Sequence, residues 1–211
     1  GFYEKYYFTP GDLGINVFKT SVGNLGVLIC WDQWFPEAAR ISALKGADII
    51  FYPTAIGSIK NYESEDNWLD AWISVQRAHA ISNGIHVAAV NRVGQEKKLH
   101  FWGNSFIANA FGKVIAKGSE KKEEIIVQEV DFSSNEKIQH GWGFFRNRRP
   151  ESYKLLKLPV EKNKKTQPKP AQLGYFFPAE WQKHARILLA WPHDIPSFPK
   201  LKNVEHSIVK I

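Results

Sequence analysis

The chain holds one cysteine, Cys30, between the apolar run Leu25-Gly26-Val27-Leu28-Ile29 and the segment Trp31-Asp32-Gln33-Trp34-Phe35-Pro36. The run reads as a strand, and Pro36-Glu37 opens a helix, because proline suits a first helical turn and an early acid suits its dipole. A residue at such a strand–turn–helix junction projects from a sheet edge, where α/β enzymes place reacting groups. The backbone N–H groups of the turn and the helix N-terminus would favour a thiolate and a developing oxyanion. These features make Cys30 a candidate nucleophile. The alternative is an inert buried cysteine acting as a small hydrophobe. Asp32, Glu37 and Arg40 surround the helix start, and a buried ion pair among them would stiffen the junction. Downstream, Pro53-Thr54-Ala55-Ile56 follows a short apolar run. It is expected to form a strand-to-helix loop beside the site that contacts substrate, or else a purely structural loop.

The elements that must position these residues follow from the pattern. Val17–Thr20 and Leu25–Cys30 flank Ser21-Val22-Gly23-Asn24, as in a hairpin. A helix over residues 36–44 is stopped by Lys45-Gly46. Asp48–Tyr52 and Ile85–Val90 are continuous apolar runs, expected as buried strands. Between them a long helix runs from about Asn67 to Ser82, ended by Asn83-Gly84. Phe106–Ala108 and Val114–Ala116 pair across a turn, and Glu124–Val130 is expected as a final strand. Hairpins interrupt the alternation of strands and helices, so the sheet is expected to be mixed, with helices on its faces.

Composition narrows the classes. Of 211 residues, 44% are hydrophobic and 14% aromatic, which supports a folded core rather than disorder. The net charge of +7 does not mark a nucleic-acid binder. Residues 1–150 carry 17 Lys and Arg against 16 Asp and Glu, so the excess lies mainly beyond them. One cysteine excludes an intrachain disulfide or a multi-cysteine metal site, and the seven histidines show no zinc-helix spacing. His79, His86 and His100 are expected to pack or to sit at the surface. No apolar run approaches the length of a membrane span, and residues 1–3 resemble no targeting leader, so a cytoplasmic location is expected. The chain has no methionine and starts at Gly1, which is read as the sign of a processed or internal piece. Near Pro159 the composition turns Lys-, Pro- and Gln-rich, as in a solvated linker. Apolar residues return at Leu173, in a stretch too short for an ordinary domain.

Gly26-Val27-Leu28-Ile29-Cys30-Trp31-Asp32-Gln33-Trp34-Phe35-Pro36-Glu37-Ala38-Ala39-Arg40 resembles the nucleophile signature of the nitrilase superfamily, in the form of its N-carbamoylputrescine amidohydrolase branch. Tyr7–Asp12, Phe51–Ser58, Asn91-Arg92-Val93-Gly94, His140-Gly141-Trp142-Gly143 and Arg148-Arg149-Pro150 continue the resemblance in order. It implies an α/β fold, here the C-terminal part of an αββα sandwich over residues 1–158. The implied reaction is hydrolysis of N-carbamoylputrescine to putrescine, carbon dioxide and ammonia, with neither metal nor organic cofactor. Such enzymes use a Glu–Lys–Cys triad. The Cys maps to Cys30, and the triad Glu and Lys fall before Gly1, so the chain alone is expected to be inactive. Glu4 matches a second carboxylate that holds the Lys and orients substrate, the alternative being a solvated Glu beside Lys5. Trp31 is expected to offer its backbone N–H to the oxyanion and its indole to the pocket wall, or to be a core aromatic. The tract from His140 to Pro150 is implied to lie near a subunit interface, as the family commonly forms homo-oligomers. Other branches remain open, such as a β-ureidopropionase or an aliphatic amidase. A non-catalytic assembly module also remains open.

Gly174-Tyr175-Phe176-Phe177-Pro178-Ala179-Glu180-Trp181-Gln182-Lys183-His184 with Leu189–Asp194 resembles the opening of agmatine deiminase, a propeller-type fold, with Phe177 where a Met is expected. This implies three parts. They are the hydrolase region at 1–158, a linker at 159–173 and the start of a deiminase-like domain at 174–211, within a bifunctional parent.

Overall fold

The computed structural model describes residues 8–9, 11–59 and 67–158. The expected linker and propeller-type fragment, and Glu4, lie outside the described residues. A six-stranded mixed sheet has the order β1-β2-β3-β5-β8-β9. Its strands are β1 (Val17–Thr20), β2 (Gly23–Val27), β3 (Ile49–Thr54), β5 (His86–Asn91), β8 (Phe106–Ala108) and β9 (Val114–Lys117). The three central strands β2, β3 and β5 run parallel; β1 forms an antiparallel hairpin with β2, and on the other side β8 pairs antiparallel with β5 and with β9. This is the mixed sheet expected from the sequence.

Side chains alternate between the faces of a strand. Leu28, Ile50, Tyr52, Val87, Ala89, Phe106 and Ala108 enter one core with helices α1 (Pro36–Leu44) and α2 (Trp68–Asn83). On the opposite face Phe18, Val27 and Val90 are exposed. Both helices begin where the sequence signals placed them. Pro36 opens α1. Asn67 Oδ1 accepts the Asp70 N–H at 3.0 Å and caps α2. Gly84 takes the left-handed φ of 59° that ends α2, a conformation costly for other residues.

Three expectations are corrected. Glu124–Val130 forms no strand. Ile125 and Val127 are almost fully exposed, no described strand pairs with the segment, and Glu124 instead accepts the Ser119 N–H. An apolar–polar alternation becomes a strand only where a neighbour supplies the ladder. Second, Pro53–Ile56 is not a strand-to-helix loop. Pro53 and Thr54 end β3, and Ala55-Ile56 lead into β4 (Gly57–Ile59). That strand joins β7 (Leu99–Trp102) and β6 (Val93–Glu96) in a small second sheet of order β4-β7-β6. Third, the described residues show no ion pair among Asp32, Glu37 and Arg40. Arg40 donates to the Ser82 carbonyl at 2.9 Å and lies over the Phe145 ring, which ties α1 to the end of α2.

Helix α3 (Ser133–Trp142) docks through polar groups at the opposite sheet edge from the junction. Asn135 donates to the Asp48 carbonyl at 2.8 Å and pairs with His86 Nδ1 at 2.8 Å. Gln139 donates to the carbonyls of Asn83 and Gly84, which α2 leaves without helical partners.

Within the small sheet β4 and β7 approach closely at Gly57, where an added Cβ would stand 2.0 Å from the His100 carbonyl oxygen. Backbone cannot yield as a flexible side chain would. Gly57→Ala should therefore lower the stability of the full-length protein by about 1–3 kcal/mol. The check is its urea midpoint, and an unchanged midpoint would contradict this packing.

Candidate active site

The chain leaves β2 at Val27, and Cys30 opens a 3₁₀ turn over Cys30–Trp34 that precedes α1. The expected junction is thus strand, 3₁₀ turn, then helix, with Cys30 at the start of the 3₁₀ turn rather than at the start of α1. Cys30 has φ of 49°, a left-handed conformation that a non-glycine residue adopts at a cost. Local bonds hold it there. The Asp32 carboxylate accepts the Ile29 N–H at 2.9 Å, the Asp32 N–H returns to the Ile29 carbonyl at 3.1 Å, and Phe35 N–H reaches the Asp32 carbonyl. Asp32 therefore braces the turn that carries the sulfur.

Below the turn, Gln33 is fully buried and its Oε1 accepts the Trp72 indole N–H at 2.7 Å. The Trp72 ring meets Phe106 edge-on at 5.7 Å. The turn is thereby anchored to α2 and, through it, to the sheet. Neither Gln33 nor Trp72 stood out in the sequence, where Gln33 is one polar residue among aromatics.

The C-terminal ends of the parallel strands bring three residues to one sheet edge: Cys30 beyond β2, Thr54 at the end of β3 and Asn91 at the end of β5. Thr54 and Asn91 are paired in register. Cys30 Sγ is partly exposed and receives the Thr54 hydroxyl at 3.3 Å. The sequence-derived candidates divide here. Cys30 and Thr54 are in contact. Pro53 and Ala55 are exposed on either side of Thr54, and Ile56 is partly buried. Trp31 is exposed and meets Trp34 edge-on at 6.3 Å, so its indole is not a core aromatic. Asn91 opens the motif Asn91-Arg92-Val93-Gly94. A polar residue closing an otherwise apolar strand is the signal that marks it.

A cleft of about 520 Å³ opens beside Asn91 and Arg92, between Ser105 and the segment from Gly118 to Ile126, and does not reach Cys30. Arg92 lies along it, paired with Glu96 at 2.7 Å and stacked over Phe101 at 4.4 Å. Among the described residues no cluster of three or more His, Cys, Asp or Glu is arranged to hold a metal, and no helix is long and apolar enough to cross a membrane.

Behind the site, the Tyr52 hydroxyl and His79 Nδ1 are 3.0 Å apart in the core. Burial pushes the Tyr52 phenol up, and it pushes His79 down to about 4. His79 is thus neutral in the folded protein at neutral pH. An unfolded histidine takes a proton near pH 6.5, so its contribution is fully present above that pH. It is lost progressively as the pH falls from about 6.5 to about 4, by roughly 3 kcal/mol at most. His86, lowered in the same direction by burial, adds to this loss. The urea midpoint of the full-length protein should fall between pH 7 and pH 5, and His79→Gln should reduce that fall. An identical pH slope in the variant would contradict the assignment.

The carbon–nitrogen hydrolase family model matches residues 1–139. An N-carbamoylputrescine amidase of Oryza sativa is 46% identical over 175 residues, covering 77% of this chain and 57% of the relative. A citrullinase of Francisella tularensis is 44% identical over 160 residues, covering 72% of this chain and 54% of the relative. The crystal structure of a carbon–nitrogen hydrolase from Helicobacter pylori superposes with a TM-score of 0.71 at 48% identity, covering 74% of this chain and 56% of that one. The chain spans about half the length of the relatives it matches.

Proposed function

Since the chain belongs to the carbon–nitrogen hydrolase family of the nitrilase superfamily and has its α/β sandwich fold, we propose that it supplies the nucleophile and substrate-facing edge of an enzyme cleaving N-carbamoylputrescine. The observation that carries this reading is Cys30, the one cysteine, held in a strained turn at the C-terminal edge of a parallel sheet with the Thr54 hydroxyl on its sulfur.

In this reading the Cys30 thiolate attacks the ureido carbon, and an S–C bond forms. The bond from that carbon to the putrescine nitrogen breaks, and the amine leaves after taking a proton. Water then attacks the S-carbamoyl carbon, the C–S bond breaks, and carbamic acid departs and decomposes to carbon dioxide and ammonia. The Thr54 hydroxyl steadies the sulfur when it carries charge, as attacking group and again as leaving group. The Trp31 peptide N–H serves the oxyanion, while Pro53, Ala55 and Ile56 form one wall for the substrate. The general base and the oxyanion lysine that the family resemblance implies belong to the full-length protein, and Glu4 orients them. No metal or organic cofactor takes part, the assembly is a homo-oligomer, and the enzyme is cytoplasmic.

The similarity to a citrullinase supports a second substrate reading, because citrulline and N-carbamoylputrescine share a terminal ureido group on an alkyl chain. They differ at the far end, which is an amine in one and an amino acid in the other. Ammonia release by the full-length protein from each compound, and from a simple aliphatic amide, separates the readings. We expect the highest kcat/KM for N-carbamoylputrescine. A preference for citrulline would move the substrate assignment but leave the ureido chemistry, and activity on the simple amide alone would remove both. Residues 174–211 lie beyond the family match. Their resemblance to agmatine deiminase carries the further reading that 159–173 is a linker and that the full-length protein also converts agmatine to N-carbamoylputrescine.

A further inference from the structure

We propose that Asn91 is a positioning residue that sets the end of β3 against the Cys30 sulfur. This rests on the reading of Cys30 as the nucleophile. Asn91 is only 7% exposed, and its carboxamide is used on both sides. Oδ1 accepts the Ile56 N–H at 2.9 Å, while Nδ2 donates to the Ile56 carbonyl at 3.1 Å and to the Gly103 carbonyl at 3.0 Å. One acceptor faces an N–H and two N–H donors face carbonyls, so this network admits one amide orientation, and exchanging O and N would set an oxygen against two oxygens.

The consequence falls on Thr54-Ala55-Ile56. Thr54 is the last residue of the β3 ladder, and Ala55-Ile56 has not yet entered β4, where the Trp102 N–H reaches the Ile56 carbonyl only at 3.4 Å. Irregular backbone at a buried edge keeps one conformation only when its polar groups are met. Asn91 meets both peptide groups of Ile56, as a neighbouring strand would. The Arg92 N–H fixes the preceding Thr54 carbonyl at 3.2 Å, and Gly57 is locked against the His100 backbone just after it. Asn91 is held in turn by Ser105, whose hydroxyl accepts the Asn91 N–H at 2.9 Å and donates to the Asn91 carbonyl at 3.2 Å. Hydrogen bonds thus link Ser105 to Asn91 and Asn91 to Ile56, the backbone of Ala55 joins Ile56 to Thr54, and the Thr54 hydroxyl meets the sulfur. No member beyond Thr54 touches the reacting atoms. If the carboxamide is removed, Ile56 relaxes and the Thr54 hydroxyl leaves its 3.3 Å contact with Sγ.

A merely structural Asn91 would lower stability and leave catalysis by the folded fraction unchanged. A positioning residue lowers kcat at temperatures where the variant is fully folded. The experiment compares Asn91→Ala and Ser105→Ala with wild type in the full-length protein. Folding is followed by circular dichroism, and kcat and KM are measured on whichever ureido compound the wild type hydrolyses. Asn91→Ala should reduce kcat by about 10- to 100-fold with KM little changed, the scale of a displacement of about 1 Å at a reacting group. Ser105→Ala should lower kcat in the same sense by less. Folded variants with wild-type kcat overturn the proposal, whatever their melting temperatures. If Asn91→Ala does not fold, Ser105→Ala decides alone: a lowered kcat supports the proposal and a wild-type kcat overturns it. Failure of the nucleophile reading shows separately, as retained activity in Cys30→Ala.

Discussion

Cys30→Ala in the full-length protein should reduce hydrolysis by about four orders of magnitude or more while the protein stays folded, since loss of a covalent nucleophile disables the whole catalytic set. The structure separates the two effects. The side chain is partly exposed, so its loss leaves little cavity. The turn around it is held by Asp32 and Gln33 rather than by the sulfur. Alanine at φ of 49° bears the same backbone cost as cysteine, so the change adds no new strain. Ammonia release and circular dichroism check the two halves of this expectation. Gross unfolding would mean that the sulfur holds the turn, and retained turnover would mean that another group attacks.

The largest stability effect should come from Trp72→Ala. Trp72 is fully buried between the nucleophile turn and Phe106, and truncating such a ring costs about 3–5 kcal/mol. The truncation also strips the donor from Gln33 Oε1, which is fully buried, and an unmet buried acceptor costs about 1–3 kcal/mol more. Trp72→Phe is the smaller change, because it keeps a ring against Phe106 and removes the N–H with part of the indole. Urea unfolding of both variants should place Trp72→Phe between wild type and Trp72→Ala. Equal midpoints for Trp72→Phe and wild type would contradict a stabilising role for the indole and its Gln33 contact.

Local signals were readable in the sequence wherever they match what fixes the element. Pro36, Asn67 and Asn83-Gly84 mark helix ends because each meets a specific backbone need, and α1 and α2 begin and end there. The runs at residues 48–52 and 85–90 lie in central strands, where most of their side chains are buried. Elements made by distant partners were hidden. The strands β4, β6 and β7 are three or four residues long, and β6 is mostly polar. Helix α3 docks by amide-to-carbonyl bonds to residues distant along the chain, which local pattern does not reveal. The segment 124–130 shows the reverse, a strand-like pattern with no described neighbour. At the site, Cys30 and Thr54 were both legible as candidates, and the contact between them was not. Arg40 was expected to pair with the nearby acids, yet it reaches a carbonyl 42 residues away. Asn91 was hidden for the same reason, because its partners are 35 and 12 residues distant along the chain.

The central claim is that Cys30 forms a covalent bond to the ureido carbon of the substrate. Its most direct test is to mix the full-length protein with N-carbamoylputrescine, quench in acid within a turnover, digest, and weigh the peptide that contains Cys30. The account expects a carbamoyl group on that peptide during turnover, absent once the substrate is exhausted and absent when substrate is omitted. Steady ammonia release with the Cys30 peptide unmodified at every quench time, in an experiment where a synthetic S-carbamoyl standard survives the work-up, would contradict it.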